Sequence, residues 1–139
     1  MKSLIYLSTE SIPFDEDELM ELSVSSKKRN KERGITGFIS YKKGVFIQFL
    51  QGPENSVNQL FSTISQDRRH KVKNRMDLDF ENALFPNRGM RYYGHEELGP
   101  TRFADILELL LSRLSTALSE GQIKKLVSGN IERIAIRSR

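Results

Sequence analysis

The order of strand-like and helix-like segments in the first 95 residues constrains the fold more than any other feature of the sequence. Short apolar and aromatic runs predict strands at residues 4–7, 35–41, 45–50, 76–80 and 91–94. Two helical patterns separate them, one between the acidic run 15–18 and Gly34 and one from Pro53 to Gln66. The order βαββαββ predicts an α+β, ferredoxin-like fold, with a mixed five-stranded sheet and two helices on one face.

The residues after position 98 have a different pattern. Residues 103–118 are too apolar for a helix that lies free in water, and a second helix is predicted at 122–127. A tail with Ile131, Ile134 and Ile136 follows. We expect residues 1–98 to form the main domain and residues 99–139 a helical extension that packs on the open face of the sheet.

Composition narrows the possible chemistry. The 139 residues suffice for one domain with a packed core, and the net charge is +4. The chain has no cysteine, which excludes disulfides, thiolate metal sites and thiol nucleophiles, and it has no tryptophan. Its apolar runs are too short for a signal peptide or a membrane span, so we expect a soluble, cytoplasmic protein.

Four polar residues are predicted to converge between the sheet and the helices. Tyr6 and Gln48 lie on the even-numbered faces of the first and third strands, which are neighbours in a ferredoxin-like sheet. Ser26 and Asn30 continue the inward stripe of the first helix. Each residue alone is ordinary in a protein core. Together, because unpaired buried polar groups are costly, they either satisfy one another or hold a polar ligand.

Five motifs in these segments resemble the BLUF family, the blue-light sensors that use flavin. The similarity covers about residues 1–95, and the motifs occur in the order found in the family. They are the Tyr in Leu4-Ile5-Tyr6-Leu7-Ser8, the stretch 29–37 around Asn30, the stretch 46–52 around Gln48, the run Asp67-Arg68-Arg69-His70, and Phe85-Pro86 with Met90.

The resemblance implies that FAD binds non-covalently between the two helices, without a metal. It implies that Tyr6 gives an electron and a proton to the excited flavin, and that Gln48 then rearranges and shifts the absorption to the red. Met90 would relay this change into the last strand. The implied cofactor-binding residues are Tyr6, Leu22, Ser26, Asn30, Phe46, Gln48, Ile64, Asp67, Arg69 and His70.

One position departs from the family. Arg88-Gly89-Met90 stands where the family often has Trp-Ser-Met, and an arginine cannot serve as an electron donor in place of an indole. The resemblance further implies a receptor without a fused effector domain, whose state is read by an unknown partner protein. A homo-oligomer is compatible with the same helical extension.

Two other classes of function were weighed. A basic ferredoxin-like module could bind nucleic acid through the lysines and arginines of residues 27–33 and 68–73, with strand aromatics stacking on bases. The aromatics, however, are interleaved with continuous apolar runs, as in a core. We expect no enzymatic activity, since His70 and His95 have no metal ligand or nucleophile nearby in sequence.

Overall fold

The computed structural model describes residues 1–13, 15–86, 90–94, 105–106 and 119–137, some helical positions by their backbone alone. Five strands and three longer helices lie in these ranges. In chain order they are β1 (Lys2–Glu10), α1 (Glu16–Glu32), β2 (Thr36–Lys42), β3 (Val45–Gly52), α2 (Glu54–Gln66), β4 (His70–Leu78), β5 (Met90–Gly94) and α3 (Glu120–Arg137).

The strands form one sheet in the order β4-β1-β3-β2-β5. All neighbours are antiparallel except β2 and β5, which run parallel. This arrangement confirms the predicted α+β, ferredoxin-like fold with a mixed five-stranded sheet. It also places β1 beside β3, so that Tyr6 and Gln48 lie on neighbouring strands as predicted.

The two ends of α1 show why the helix occupies this stretch. The side chain of Asp15 caps its N-terminus by accepting a hydrogen bond from the Glu18 amide at 2.8 Å. At the other end Gly34 has φ +73°, which favours glycine, and the chain turns so sharply that the Ile35 amide donates to the Asn30 carbonyl at 2.8 Å. This turn leads directly into β2 and holds Asn30 beside the sheet.

The two faces of the sheet have separate cores. On the first face, apolar side chains of β1, β2, β3 and β5 pack against α2; this core contains Leu4, Tyr6, Ile35, Ile39, Phe46, Leu50, Val57 and Met90. On the second face, α3 buries Ile123, Val127, Ile131 and Ile134 against Ile5, Leu7, Phe38, Ile47 and Phe49. The alternation of side chains along each strand therefore divides the molecule into two layers.

The prediction for β4 was wrong in its start and end. The strand begins at His70, six residues before the predicted residue 76, and ends at Leu78 rather than Phe80. β4 is an edge strand of the sheet, where charged side chains such as Lys71 and Lys73 are tolerated, so its first half lacks an apolar signal. A register shift opposite Leu7 and Ser8 breaks the alternation further.

The prediction for the C-terminal helix was also too short. Instead of a helix at 122–127 and a separate tail, α3 continues from Glu120 to Arg137 through Gly129. Glycine lowers helix propensity, but Ile131 and Ile134 continue the buried stripe of Ile123 and Val127, and this burial outweighs the cost. The predicted helix at 103–118 lies outside the described residues, apart from positions 105 and 106, which are helical.

Candidate functional site

A cavity of about 240 Å³ lies on the first face of the sheet, bordered by α2 and by the C-terminal end of α1. Strands β1, β2, β3 and β5 form its floor. The lining residues are Tyr6, Ser8, Arg29, Asn30, Arg33, Ile39, Phe46, Gln48, Leu60, Thr63, Ile64, Asp67, Arg69, His70, Met90 and Tyr92.

Tyr6 and Gln48 form a buried pair on the floor. They are direct partners in the β1–β3 ladder, and the Tyr6 hydroxyl donates a hydrogen bond to Gln48 Oε1. Tyr6 is 2% exposed and Gln48 6%. Burial, together with the negative charge of Asp67, raises the pKa of Tyr6 above its ordinary value. The phenol therefore stays protonated at neutral pH, and its proton lies in the bond to Gln48.

Three further polar groups at the cavity have unused hydrogen-bonding capacity. The Asn30 side chain is 3% exposed, and no group in the described part of the chain bonds its amide or Gln48 Nε2. Ser8 is 0% exposed, and within the same ranges its Oγ has no partner. Two amides and a hydroxyl that border a cavity supply both donors and acceptors. They fit a bound molecule with a polar edge.

The walls of the cavity are apolar and aromatic. Tyr6 meets Phe61 of α2 edge to face, with ring centroids 5.6 Å apart, and the ring of Phe46 lies 6.2 Å from that of His70. Leu60 and Ile64 of α2 border the same space. Apolar walls with a few polar groups are typical of a site for a flat organic molecule such as a flavin ring.

The loop between α2 and β4 forms the rim. The guanidinium of Arg69 pairs with the carboxylate of Asp67 at 2.6 Å, and the Asp67 side chain also accepts from the Arg69 amide. Hydrogen bonding from Arg69 lowers the pKa of Asp67 to about 2. The Nε2 atom of His70 lies 3.0 Å from the Ile64 carbonyl, which fastens the ring beside the cavity. The rim therefore carries both signs of charge.

Most of the residues predicted to form the site lie together. Tyr6, Asn30, Phe46, Gln48, Ile64, Asp67, Arg69, His70 and Met90 all line the cavity. Met90 is fully buried and pairs with Gly37 of β2. The side chains of Leu22 and Ser26, and all of Arg88, lie outside the described residues.

Seven lining residues were missed from the sequence. They are Ser8, Arg29, Ile39, Arg33, Leu60, Thr63 and Tyr92. Ser8 has the same parity as Tyr6 on β1, a signal that was available. The sequence could not predict that Tyr92 lines the cavity, because its position depends on the register of β5 on β2 and of β2 on β3. Tyr92 pairs with Ile39, and Ile39 pairs with Gln48. One row across the sheet thus joins Tyr6, Gln48, Ile39 and Tyr92.

A family model described as "Sensors of blue-light using FAD" (BLUF) matches residues 1–91 of the chain. The matched segment contains β1 to β4 and the beginning of β5, and hence nearly all of the cavity lining. The description defines the family by the sensing of blue light with FAD.

Curated relatives of the chain include photoactivated adenylate cyclase subunits of Euglena gracilis. The alpha subunit is 36% identical over 69 residues, which are 50% of this chain and 7% of the relative. The beta subunit is 26% identical over 136 residues, 94% of this chain and 16% of the relative. The chain therefore spans only a small part of the length of these relatives.

Solved structures show the same architecture over almost the whole chain. BlrB, a BLUF protein whose dark-state structure is known, superposes with a TM-score of 0.68 at 26% identity, covering 99% of this chain and 95% of BlrB. A bacterial light-regulated adenylyl cyclase gives a TM-score of 0.67 at 26% identity, covering 94% of this chain and 40% of the cyclase.

Proposed function

Because the chain belongs to the BLUF family of blue-light sensors that use FAD, we propose that FAD binds in the cavity beside Tyr6 and Gln48 and that light switches the hydrogen bonding of this pair. The observation that carries the proposal is the buried Tyr6–Gln48 hydrogen bond at the edge of a cavity with unused amide groups. A sensor of this kind consumes no substrate and acts as a two-state switch.

Different residues of the cavity bind different parts of FAD. Asn30 and the free Nε2 of Gln48 bind the polar edge of the ring, since amides both donate and accept hydrogen bonds. Phe46 and Ile64 pack against its apolar body. Arg69, held by Asp67 and flanked by His70, binds the outer chain of the cofactor. Leu22 and Ser26 belong to the same proposed set.

The photochemical role falls to Tyr6. Bound FAD supplies the absorption of blue light and, once excited, a strong oxidant. Tyr6 would give an electron and then its hydroxyl proton to the excited flavin, and it would recover both from the flavin as the cofactor returns to its resting state. Gln48 accepts the Tyr6 hydrogen bond in the resting state, so loss of that proton releases its amide. Gln48 then adopts another rotamer or tautomer, and its stronger hydrogen bond to the flavin carbonyl shifts absorption to the red.

The switch must reach the surface of the protein to act as a signal. Met90 lies at the start of β5 and borders the cavity, so it is the proposed relay from Gln48 into the last strand. β5 is an edge strand, and residues 99–139 follow it. We propose that this extension to the domain of residues 1–98 presents the altered state to a partner protein, and that no membrane is involved. In the described ranges, no helix is long and apolar enough to cross one.

The proposal is tested by the visible spectrum of the purified protein before and after blue illumination. We expect a yellow protein whose absorption shifts to the red. Tyr6→Phe should retain flavin and lose the shift, because phenylalanine cannot release a hydroxyl proton. Tyr93→Phe is the matched control: Tyr93 is 4% exposed but belongs to the core on the second face, so its removal should leave the shift intact.

Two results would overturn the proposal. A colourless protein that takes up no added FAD would refute the assignment of FAD as the cofactor. A Tyr6→Phe variant with a normal red shift would refute the photochemical role of Tyr6. The nucleic-acid alternative predicts instead a salt-sensitive affinity for RNA or DNA that is independent of flavin. It is disfavoured because Phe38 and Phe49, both 0% exposed, are not available to stack on bases.

A further inference from the structure

The outward face of α1 carries exposed apolar side chains that no other described element covers. Met20 is 56% exposed and Val24 67%. They are one helical turn apart, so they lie next to each other on the surface of the helix. Counted at 100° per residue, the side chain of Arg33 points about 180° away from that of Val24. Since Arg33 lines the cavity, the cavity lies on the opposite side of α1.

The charges along the same outward stripe are sorted by sign. Asp17 lies seven residues before Val24 and Lys31 seven residues after it, and Glu21 and Lys27 lie three residues before and after it. All four are exposed. Steps of three, four and seven residues keep them on one face with Val24. The stripe is therefore acidic, then apolar, then basic, and it is symmetric in position about Val24.

A helix alone gains little from this order beyond its dipole. Acidic residues near the N-terminus and basic residues near the C-terminus do complement the macrodipole. However, Asp17 and Glu21 form a like-charge pair at a spacing of four, as do Lys27 and Lys31, and such pairs destabilise an isolated helix. The dipole also gives no reason for the exposure of Met20 and Val24.

We propose that the outward face of α1 is the interface of a symmetric homodimer, in which α1 of a second copy packs antiparallel about Val24. In this arrangement Asp17 of one copy faces Lys31 of the other, Glu21 faces Lys27, and the two Val24 side chains meet on the axis. Each like-charge pair is then opposed by two charges of opposite sign. The same patch serves both copies, as twofold symmetry requires.

The strength of the dimer follows from its size. One helix from each copy gives an interface at the low end of specific interfaces, so the dimer should dissociate on dilution. Its charge pairs are exposed and should contribute less than the apolar centre, although they determine the antiparallel direction. The interface leaves the cavity and α3 free, so the proposal does not depend on the function proposed above.

The first experiment measures the oligomeric state of the flavin-loaded full chain by sedimentation over a range of concentrations. The wild type should form a dimer reversibly, and Val24→Asp should raise the dissociation constant at least about tenfold, because a buried unpaired charge replaces the central contact. Leu126→Asp is the matched control: Leu126 is 48% exposed but lies on α3, so this variant should dimerise like the wild type.

The second experiment uses charge reversal, which identifies the partner residue. Asp17→Lys and Lys31→Glu should each weaken the dimer, since each places like charges opposite one another. The double variant should recover it. An equimolar mixture of the two single variants should also form a heterodimer, because each then supplies the charge that the other lacks. Circular dichroism reports whether each variant is folded.

The outcomes decide the proposal. A wild type that stays monomeric up to about 1 mM would overturn it. So would a dimer that persists in Val24→Asp, or one that is lost in Leu126→Asp. Single charge variants that weaken the dimer without recovery in the double variant or the mixture would also refute the antiparallel pairing. Loss in Val24→Asp with recovery in the paired variants would establish it.

Discussion

The two faces of the sheet are built from the same strands but differ in how their space is filled. The face toward α3 is closed by apolar side chains: Phe38, Ile47, Phe49 and Ile131 are all 0% exposed. The face toward α1 and α2 has an apolar core of its own, but it also contains a cavity with Tyr6 and Gln48 on its floor. A strand with alternating side chains can thus contribute to stability on one face and to a binding site on the other.

The consequence is that substitutions on the two faces should separate stability from flavin chemistry. A closely packed face loses contacts and leaves a void when a side chain is shortened. A face with a cavity has already given up some of those contacts.

The largest expected effect is on the free energy of unfolding when Phe49 is replaced. Phe49→Ala should lower it by about 3–5 kcal/mol, because the ring is fully buried among Phe38, Phe80 and Phe85. Phe46→Ala on the neighbouring face should cost less in the protein stripped of FAD, since one side of the Phe46 ring lines the cavity instead of packing against other side chains. Urea unfolding of the two variants measures both. Equal losses would contradict the contrast between the faces.

The next effect is on the affinity for FAD. Asn30→Ala should weaken binding about tenfold, because one hydrogen bond to a polar edge contributes about 1.4 kcal/mol. Asn130→Ala is the control from the other face: Asn130 is 7% exposed and its Nδ2 donates to the Leu126 carbonyl at 3.0 Å, within α3. Fluorescence titration with FAD measures both affinities. An Asn130 variant that loses FAD as strongly as the Asn30 variant would show that the faces are not independent.

The smallest effect is the response to acid. The pKa of Asp67 is lowered from 3.8 to about 2, and that of Asp77 is lowered to a similar value by hydrogen bonds from Arg75 and Lys2. Because the folded pKa lies below the unfolded one, this stability is complete above pH about 4 and is lost as the pH falls toward 2. Both pairs are partly exposed, so we expect at most about 1 kcal/mol from each.

Thermal unfolding of Asp67→Asn and Asp77→Asn between pH 5 and 3 separates the two contributions. Each variant should be less sensitive to acid than the wild type. Only Asp67→Asn should also change the pH dependence of FAD binding, since Asp67 lines the cavity and Asp77 lies on β4 outside it. A change in FAD binding in the Asp77 variant would contradict the assignment.

Local patterns in the sequence were sufficient to predict the bounds of elements that depend on neighbouring residues alone. Turn residues and apolar alternation predicted β2 and β3 closely, and the acidic run and Gly34 placed both ends of α1. They failed for β4, because an edge strand needs no apolar face along its first half. They failed for α3 as well, because burial against the sheet carried the helix through Gly129.

For the candidate site, the sequence predicted which residue types take part but not how all of them are arranged. The tyrosine, glutamine and asparagine of the site were identified from parity, helical spacing and family motifs. Arg29 and Arg33 were considered only as part of a basic stretch that could bind nucleic acid, yet they line the cavity. Arg33 lies three residues after Asn30 and so continues the inward stripe of α1, but its charge favoured a place in solvent.

The sequence by itself determined the order of the elements, the family, and the absence of thiol and indole chemistry. These properties follow from residues close together in the chain or from composition alone. The tertiary structure decided that the Tyr6 hydroxyl bonds to Gln48 across 42 residues, that Tyr92 joins their row through β2, and that the cavity beside this pair lies on the face toward α1 and α2. Strand register and side-chain burial depend on contacts between distant segments, and so they exist only once the chain has folded.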